Sequence, residues 1–217
     1  MTEYYRPARK LRFAPLAWLK WQYLCHAGPT EVAGFGLSSV HDPLYVEDIL
    51  VIGQRATAVT VAFDDAAIAD LFDRMTDQGI APHRFARIWL HSHPGASASP
   101  SGVDEATFAR VFGPCDWSVM AILRRTSVTY GRLQFNAGPG GSVELPVVSD
   151  WQAWPRYLAT SVLDSVTTSW QREYEQCVKP VPFHYPELLA EEPTEVLSET
   201  IDLDLLTLGE LLEYANP

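Results

Sequence analysis

The 217-residue sequence predicts an α/β fold, an α+β sandwich in which one central sheet is packed by helices. Three observations carry that expectation. Extended stretches rich in Val, Ile, Thr and Tyr fill the middle of the chain. Segments with helical period bracket them at both ends. Gly, Pro and short polar residues punctuate the boundaries between the two kinds.

Leu16, Trp18, Leu19, Tyr23 and Leu24 lie in a segment of good helix formers that ends near the Gly28-Pro29 breaker. Residues 31–37 then read as a strand whose glycines mark a close backbone approach. Leu44 to Ile52 and Ala58 to Phe63 follow as extended stretches. Asp64 is an N-cap for a helix with Ile68, Leu71, Phe72 and Met75 on one face and Gly79 at its end. Residues 88–93, Ile-Trp-Leu-His-Ser-His, form a buried strand that emerges at Pro94. A small-residue loop, GASASPSG, leads to a short helix opened by Ser101. Strands resume at Trp117–Leu123, Ser127–Phe135 and Ser142–Val148. A last helix starts with Pro155 at its first position and repeats Leu158, Val162, Val166, Trp170 and Tyr174 every fourth residue.

Near Pro180 the composition shifts to Pro, Glu and Leu, which divides the chain into a domain over 1–180 and an acidic, Leu-rich tail over 181–217. The net charge of −11 is uneven. From Pro186 onward there are nine acidic residues and no Lys or Arg, which leaves 18 acids against 16 bases before it. Ile201, Leu205, Leu208 and Leu212 recur at helical spacing among those acids, so the tail reads either as a separate docking element or as a helix packed on its own domain. A nearly neutral body offers no basic stripe for phosphates, which disfavours nucleic acid. No apolar run approaches the ~20 residues of a membrane span and the opening is too polar for a signal peptide, so a cytoplasmic protein is expected. Cys25, Cys115 and Cys177 are scattered and odd in number, a pattern of reduced, mostly buried thiols.

His91 and His93 stand two apart on a strand, so both imidazoles leave by one face. Asp104 lies eleven residues beyond His93, in the first turn of the helix that Ser101 caps. A loop of that length can fold the helix start over the strand end and complete a three-ligand site. Two His and one carboxylate with an open fourth position is a catalytic zinc arrangement, whereas structural zinc is closed by four protein ligands. The remaining histidines, His26, His41, His83 and His184, have no motif around them and are expected at the surface or at caps.

The run His91-Ser-His-Pro94, then Ser101-Gly-Val-Asp104 after six intervening residues, reproduces the H-x-H-P-x6-S-x-x-D motif of the JAMM (MPN-plus) metallopeptidases. Residues 31–34, Glu-Val-Ala-Gly, are similar to that family's upstream E-x-x-G element, and the order of elements over about 15–150 matches too. The resemblance implies an MPN/JAB fold with a cytidine-deaminase-like central sheet. It implies one Zn²⁺ per chain on His91, His93 and Asp104, with Glu31 as general base and Ser101 bonding the oxyanion. Spacing alone does not bring Glu31 to the metal; the resemblance does. It further implies cleavage of peptide or isopeptide bonds after the Gly-Gly tail of ubiquitin or a ubiquitin-like protein, with E1- or E2-like conjugation proteins as companions. The interval between Asp104 and Trp117 has no room for the second-zinc insertion of some eukaryotic members, so the chain resembles the compact prokaryotic ones. Trimming of a sulfur-carrier protein, a non-catalytic scaffold and a RadC-like repair role are the alternatives. The acidic tail and the missing basic patch count against the last.

Overall fold

The computed structural model describes residues 9–95, 97–154 and 160–181. Strand β1 (Leu11–Phe13) turns Leu11 and Phe13 inward and Arg12 outward, the two-residue alternation of a strand with one buried face. Helix α1 (Pro15–His26) opens on Pro15, whose fixed φ and missing N–H suit a first helical position. Strands β2 (Ala33–Ser38), β3 (Tyr45–Leu50), β4 (Gln54–Ala56) and β5 (Val61–Phe63) follow. Helix α2 (Asp65–Asp77) is capped by the Asp64 carboxylate, which accepts from the Ala66 and Ala67 amides, and is ended by Gly79 at φ 71°. It buries Ile68, Leu71, Phe72 and Met75, the face its sequence predicts.

After the short helix α3 (Pro82–Phe85) come β6 (Ile88–His93), α4 (Gly102–Phe112), β7 (Trp117–Arg124), β8 (Thr129–Phe135), β9 (Gly141–Glu144), β10 (Val147–Ser149), α5 (Thr160–Cys177) and β11 (Val178–Pro180). One sheet of eight strands runs β10-β1-β3-β2-β6-β7-β8-β9. At its centre β6 pairs antiparallel with β2 and parallel with β7, from Ile88↔Val119 to His93↔Arg124. Residues Ile88 to Ser92 are all buried, because both faces of β6 are covered. One face packs Ile88 and Leu90 with Trp21 and Leu24 of α1; the other packs Trp89 with Phe108 and Phe112 of α4 and Leu71 of α2. Lys20 of α1 ties the first layer together, its buried ammonium bonding the Ile49 carbonyl at 2.6 Å and the Glu173 carboxylate at 2.8 Å.

The sheet curls on itself. After β9 the chain crosses to the far edge, where β10 lies parallel to β1, and on the way the Leu145 amide donates to the Gly131 carbonyl. A Cβ at Gly131 would sit 2.7 Å from Leu145 O and 2.7 Å from Val147 Cγ2, so only glycine permits the approach.

The mixed α/β architecture matches the expectation; the single sheet does not. A second sheet of three strands, β11-β4-β5, stands apart from the first. The extended stretch expected from Ala58 begins only at Val61, because Thr57 makes a turn. Its hydroxyl accepts from the Val59 and Thr60 amides, which folds β4 back onto β5. The strand expected over 142–148 splits at Leu145-Pro146 into β9 and β10, which serve opposite edges. Glu31 lies just ahead of β2 rather than in it. Of the last helix, Pro155 and Leu158 fall outside the described residues; the expected face is buried at Tyr174 but exposed at Val162. The tail after Val181 also lies outside them. Among the described residues the cysteines are free thiols, and no helix is long and apolar enough to cross a membrane.

Candidate metal centre

His91 and His93 leave the same face of β6 toward the start of α4. The His91 ring is fully buried and stacks on Trp89, centroids 4.4 Å apart. Trp89 stacks in turn on Phe108 and Phe112 of α4, so one aromatic column sets both the imidazole and the helix beside it. Arg132 of β8 grips Glu105 with two bonds of 2.8 and 2.6 Å and lies over the Phe108 ring, which fixes α4 from outside.

The first turn of α4 then presents Asp104. Ser101 caps it reciprocally: its hydroxyl accepts from the Asp104 amide at 3.1 Å, and its own amide donates to Asp104 Oδ2 at 2.7 Å. The Ser101 hydroxyl also donates to Oδ2 at 2.7 Å. The second carboxylate oxygen, Oδ1, stands 3.3 Å from His91 Nε2, while His93 Nε2 is 3.4 Å from Oδ2. One ligand atom from each of His91, His93 and Asp104 lies within 4.8 Å of the other two.

Electrostatics follow from this crowding. Burial pushes His91 below the usual imidazole range despite Asp104, so the ring is held neutral. Burial pushes His93 the same way, but the bonds to Asp104 and to the Ser97 carbonyl outweigh it and raise His93. Burial raises Asp104 too, yet the bonds from His91 and His93 hold it well below the carboxylate range. His93 Nδ1 lies 3.0 Å from the Ser97 carbonyl, which only accepts; this puts a proton on Nδ1 and turns Nε2 toward Asp104. Neither His91 nitrogen has a well-formed hydrogen bond, which leaves one donor and one acceptor unsatisfied in a dry setting. Two imidazole nitrogens and one ionised carboxylate converging in a buried site are a donor set for a borderline divalent cation, whose binding displaces any proton held at His93 Nε2. The residues fit the metal that the sequence implies.

Glu31 is 5% exposed, with Oε1 3.8 Å from His93 Nε2. Burial pushes its carboxyl up to about 7, against the pull of His93 and with the push of Asp104. Its backbone is held from three directions. The Glu31 amide donates to the Thr57 carbonyl at 2.8 Å. The Val32 amide donates to Ser92 Oγ and the Ser92 amide to the Val32 carbonyl, both at 2.9 Å. Ala33, opposite His91 in the sheet, is held by the Gln54 side chain. Gly34 is the close approach expected of it, since a Cβ there would lie 2.7 Å from the Leu50 carbonyl.

The structure thus brings together His91, His93, Asp104 and Glu31, and sets Ser101 at the helix cap beside them. It leaves His26, His41 and His83 exposed and away from the site; His184 is outside the described residues. Sequence reasoning missed Trp89, Ser92, Ser97, Gln54 and Thr57. Ser92 had a signal: it sits between two histidines of one face and so must serve the opposite one. Gln54 had none. No protein-family model matches the chain, and no curated protein matches it either.

Proposed function

We propose that the chain is a zinc-dependent peptidase of the JAMM kind, cleaving the peptide or isopeptide bond that follows the Gly-Gly tail of ubiquitin or a ubiquitin-like protein. The single observation behind the reading is a buried Glu31 carboxyl, with Oε1 3.8 Å from His93 Nε2, beside three converging metal donors. Bound zinc supplies Lewis acidity, which brings a water's pKa to about 7 and polarises a carbonyl. Glu31 takes the proton of the attacking water and returns it to the leaving amine as the C–N bond breaks; a pKa near neutrality serves both directions. Ser101 turns its hydroxyl from Asp104 Oδ2 to the developing oxyanion. Ser97 keeps His93 in one tautomer, and Trp89 keeps His91 in one plane. An extended tail adds along a strand edge by main-chain bonds, and Gly95, with open space in front of it, leaves that approach clear. E1- or E2-like conjugation proteins in the cytoplasm are the companions that the isopeptide form of this reading proposes.

The test incubates the protein with ubiquitin-like conjugates and linear fusions ending in Gly-Gly, with and without a zinc chelator. Cleavage after Gly-Gly, lost on chelation, is expected. Glu31→Gln is expected to lose about 10²–10⁴-fold in rate with zinc retained. Near-normal turnover in that variant would remove Glu31 from the chemistry. Cleavage of no conjugate by zinc-loaded protein would favour a scaffold role.

A further inference from the structure

Glu31, His93 and Arg124 stand in one row across neighbouring chain segments of the large sheet. Ala33 lies opposite His91 where β2 runs antiparallel to β6, and the bond from the Ser92 amide to the Val32 carbonyl carries that register on to Glu31 and His93. On the other side His93 pairs in register with Arg124 of β7. Alternation along β7 sends Met120 and Ile122 into the core against α4. Arg124 therefore leaves by that same face, the one from which His91 and His93 reach Asp104. The metal centre has a carboxylate on its β2 side and a guanidinium on its β7 side.

Arg124 is half-buried, and its Nε donates to the Gly95 carbonyl at 3.2 Å, just past the end of β6. That bond orients the planar guanidinium and leaves both terminal nitrogens to other partners. The acids in the first turn of α4 are committed elsewhere. Asp104 faces His91 and His93 and accepts from Ser101, while Glu105 takes both prongs of Arg132. Arg124 has no carboxylate partner among the described residues.

Glu31 must return its proton to the leaving amine, which puts the leaving group on the β2 side of the metal. The acyl side of the scissile bond then turns toward β7 and Arg124. In an extended tail the two glycines take up about 7 Å, at about 3.3 Å each, and neighbouring strands lie about 4.8 Å apart. The residue just ahead of Gly-Gly is thus the first whose side chain an arginine one strand from His93 can meet. A carboxylate there gains a two-pronged, charge-assisted bond, whereas a basic side chain meets like charge.

We propose, on the peptidase reading above, that Arg124 is a specificity-determining residue: it selects tails with an acidic side chain immediately ahead of Gly-Gly and turns away basic ones. The contact is remote from the breaking bond, so the discrimination falls mainly on KM.

The probes are N-terminally blocked Glu-Gly-Gly, Gln-Gly-Gly and Lys-Gly-Gly peptides joined to a fluorogenic amine. Cleavage is followed with the zinc-loaded protein, and binding by fluorescence anisotropy with zinc-loaded Glu31→Gln, which removes the base but no ligand. The order Glu, Gln, Lys is expected in both, with about tenfold between Glu and Gln. Arg124→Gln keeps a donor for the Gly95 carbonyl and is expected to level the three. Arg124→Glu is expected to reverse the order in favour of Lys, a result that loosened structure does not produce; circular dichroism and zinc content check its fold. Equal or undetectable binding of the three peptides overturns the inference. So does an order that survives in Arg124→Gln, or the absence of reversal in folded Arg124→Glu. Charge-ordered binding with cleavage of none overturns the peptidase reading instead and leaves Arg124 as a binding residue.

Discussion

Gln54 treats Ala33 as a neighbouring strand would: its side-chain oxygen accepts the Ala33 amide at 2.8 Å, and its side-chain nitrogen donates to the Ala33 carbonyl at 2.9 Å. A third bond, from the same nitrogen to the Ile52 carbonyl at 2.9 Å, holds the amide in plane. The gap between the two sheets is thereby bridged at the residue opposite His91 and two positions from Glu31.

Gln54→Ala is expected to destabilise the protein by about 2–4 kcal/mol, since the Ala33 amide and the Ala33 and Ile52 carbonyls all lose this partner and a buried group left unsatisfied costs about 1–3 kcal/mol. Denaturant titration measures it. A loss below about 0.5 kcal/mol, the range of an ordinary surface change, would show that water or a shifted strand replaces the amide.

Metal analysis of the purified protein is expected to find one divalent ion per chain, and His91→Ala with His93→Ala to remove it. Full metal content in the double variant would end the assignment. The protein is expected to stay folded when stripped, because Ser92, Gln54 and the Ser101 cap build the framework without the ion. Saturating zinc at about a hundred times its Kd then adds about 2.7 kcal/mol by mass action.

Ser101→Ala is expected to cost about 1 kcal/mol, the loss of a helix cap, while the 2.7 Å bond from its backbone amide still holds Asp104 for the metal. If the hydroxyl also serves the oxyanion, the rate falls by about 10²-fold or more and Ser101→Thr restores it. A loss of stability with an unchanged rate confines Ser101 to the cap.

Burial pushes the Cys25 thiol up to about 11, with Arg125 and then Ser92 pulling it back. The sign is fixed: above pH 9 the unfolded thiol ionises while the folded one keeps its proton, so this contribution is intact below pH 9 and fades as pH rises through 11. The difference amounts to about 3 kcal/mol at most. Cys25→Ala should flatten that part of the stability profile relative to the parent. Native protein at pH 8 should leave Cys25 unalkylated; prompt labelling there would show an open thiol.

Residues acting through local rules were legible in the sequence. The α2 face, its Asp64 cap and its Gly79 end follow from period and turn chemistry alone. So does the burial of β6, a continuous apolar run covered on both faces. His91, His93 and Asp104 were readable because a two-residue period and a capped first turn fix their directions. Glu31 was legible only through the resemblance, since nothing local says which way a residue ahead of a strand will face; Gln54, Thr57 and Ser92 decide it from 23 to 61 positions away in sequence. The second sheet escaped for the same reason. Its strands are three residues each, too short for an alternation to register, and β11 meets β4 across more than 120 residues.

The closure of the large sheet has a consequence for how the chain reaches its fold. β1 lies between β3 and β10, so a strand made at the beginning is completed by residues 147–149, synthesised almost last among the described strands. Closing so long a loop costs entropy that no nearby contact offsets, and topologies of this kind assemble slowly. The β2–β6–β7 centre, with its shorter loops, can form while β1 still waits with one edge open. The histidine-bearing strand is then in place before the molecule's outermost seam is sewn, and the exposed β1 edge is where a nascent chain would first go astray.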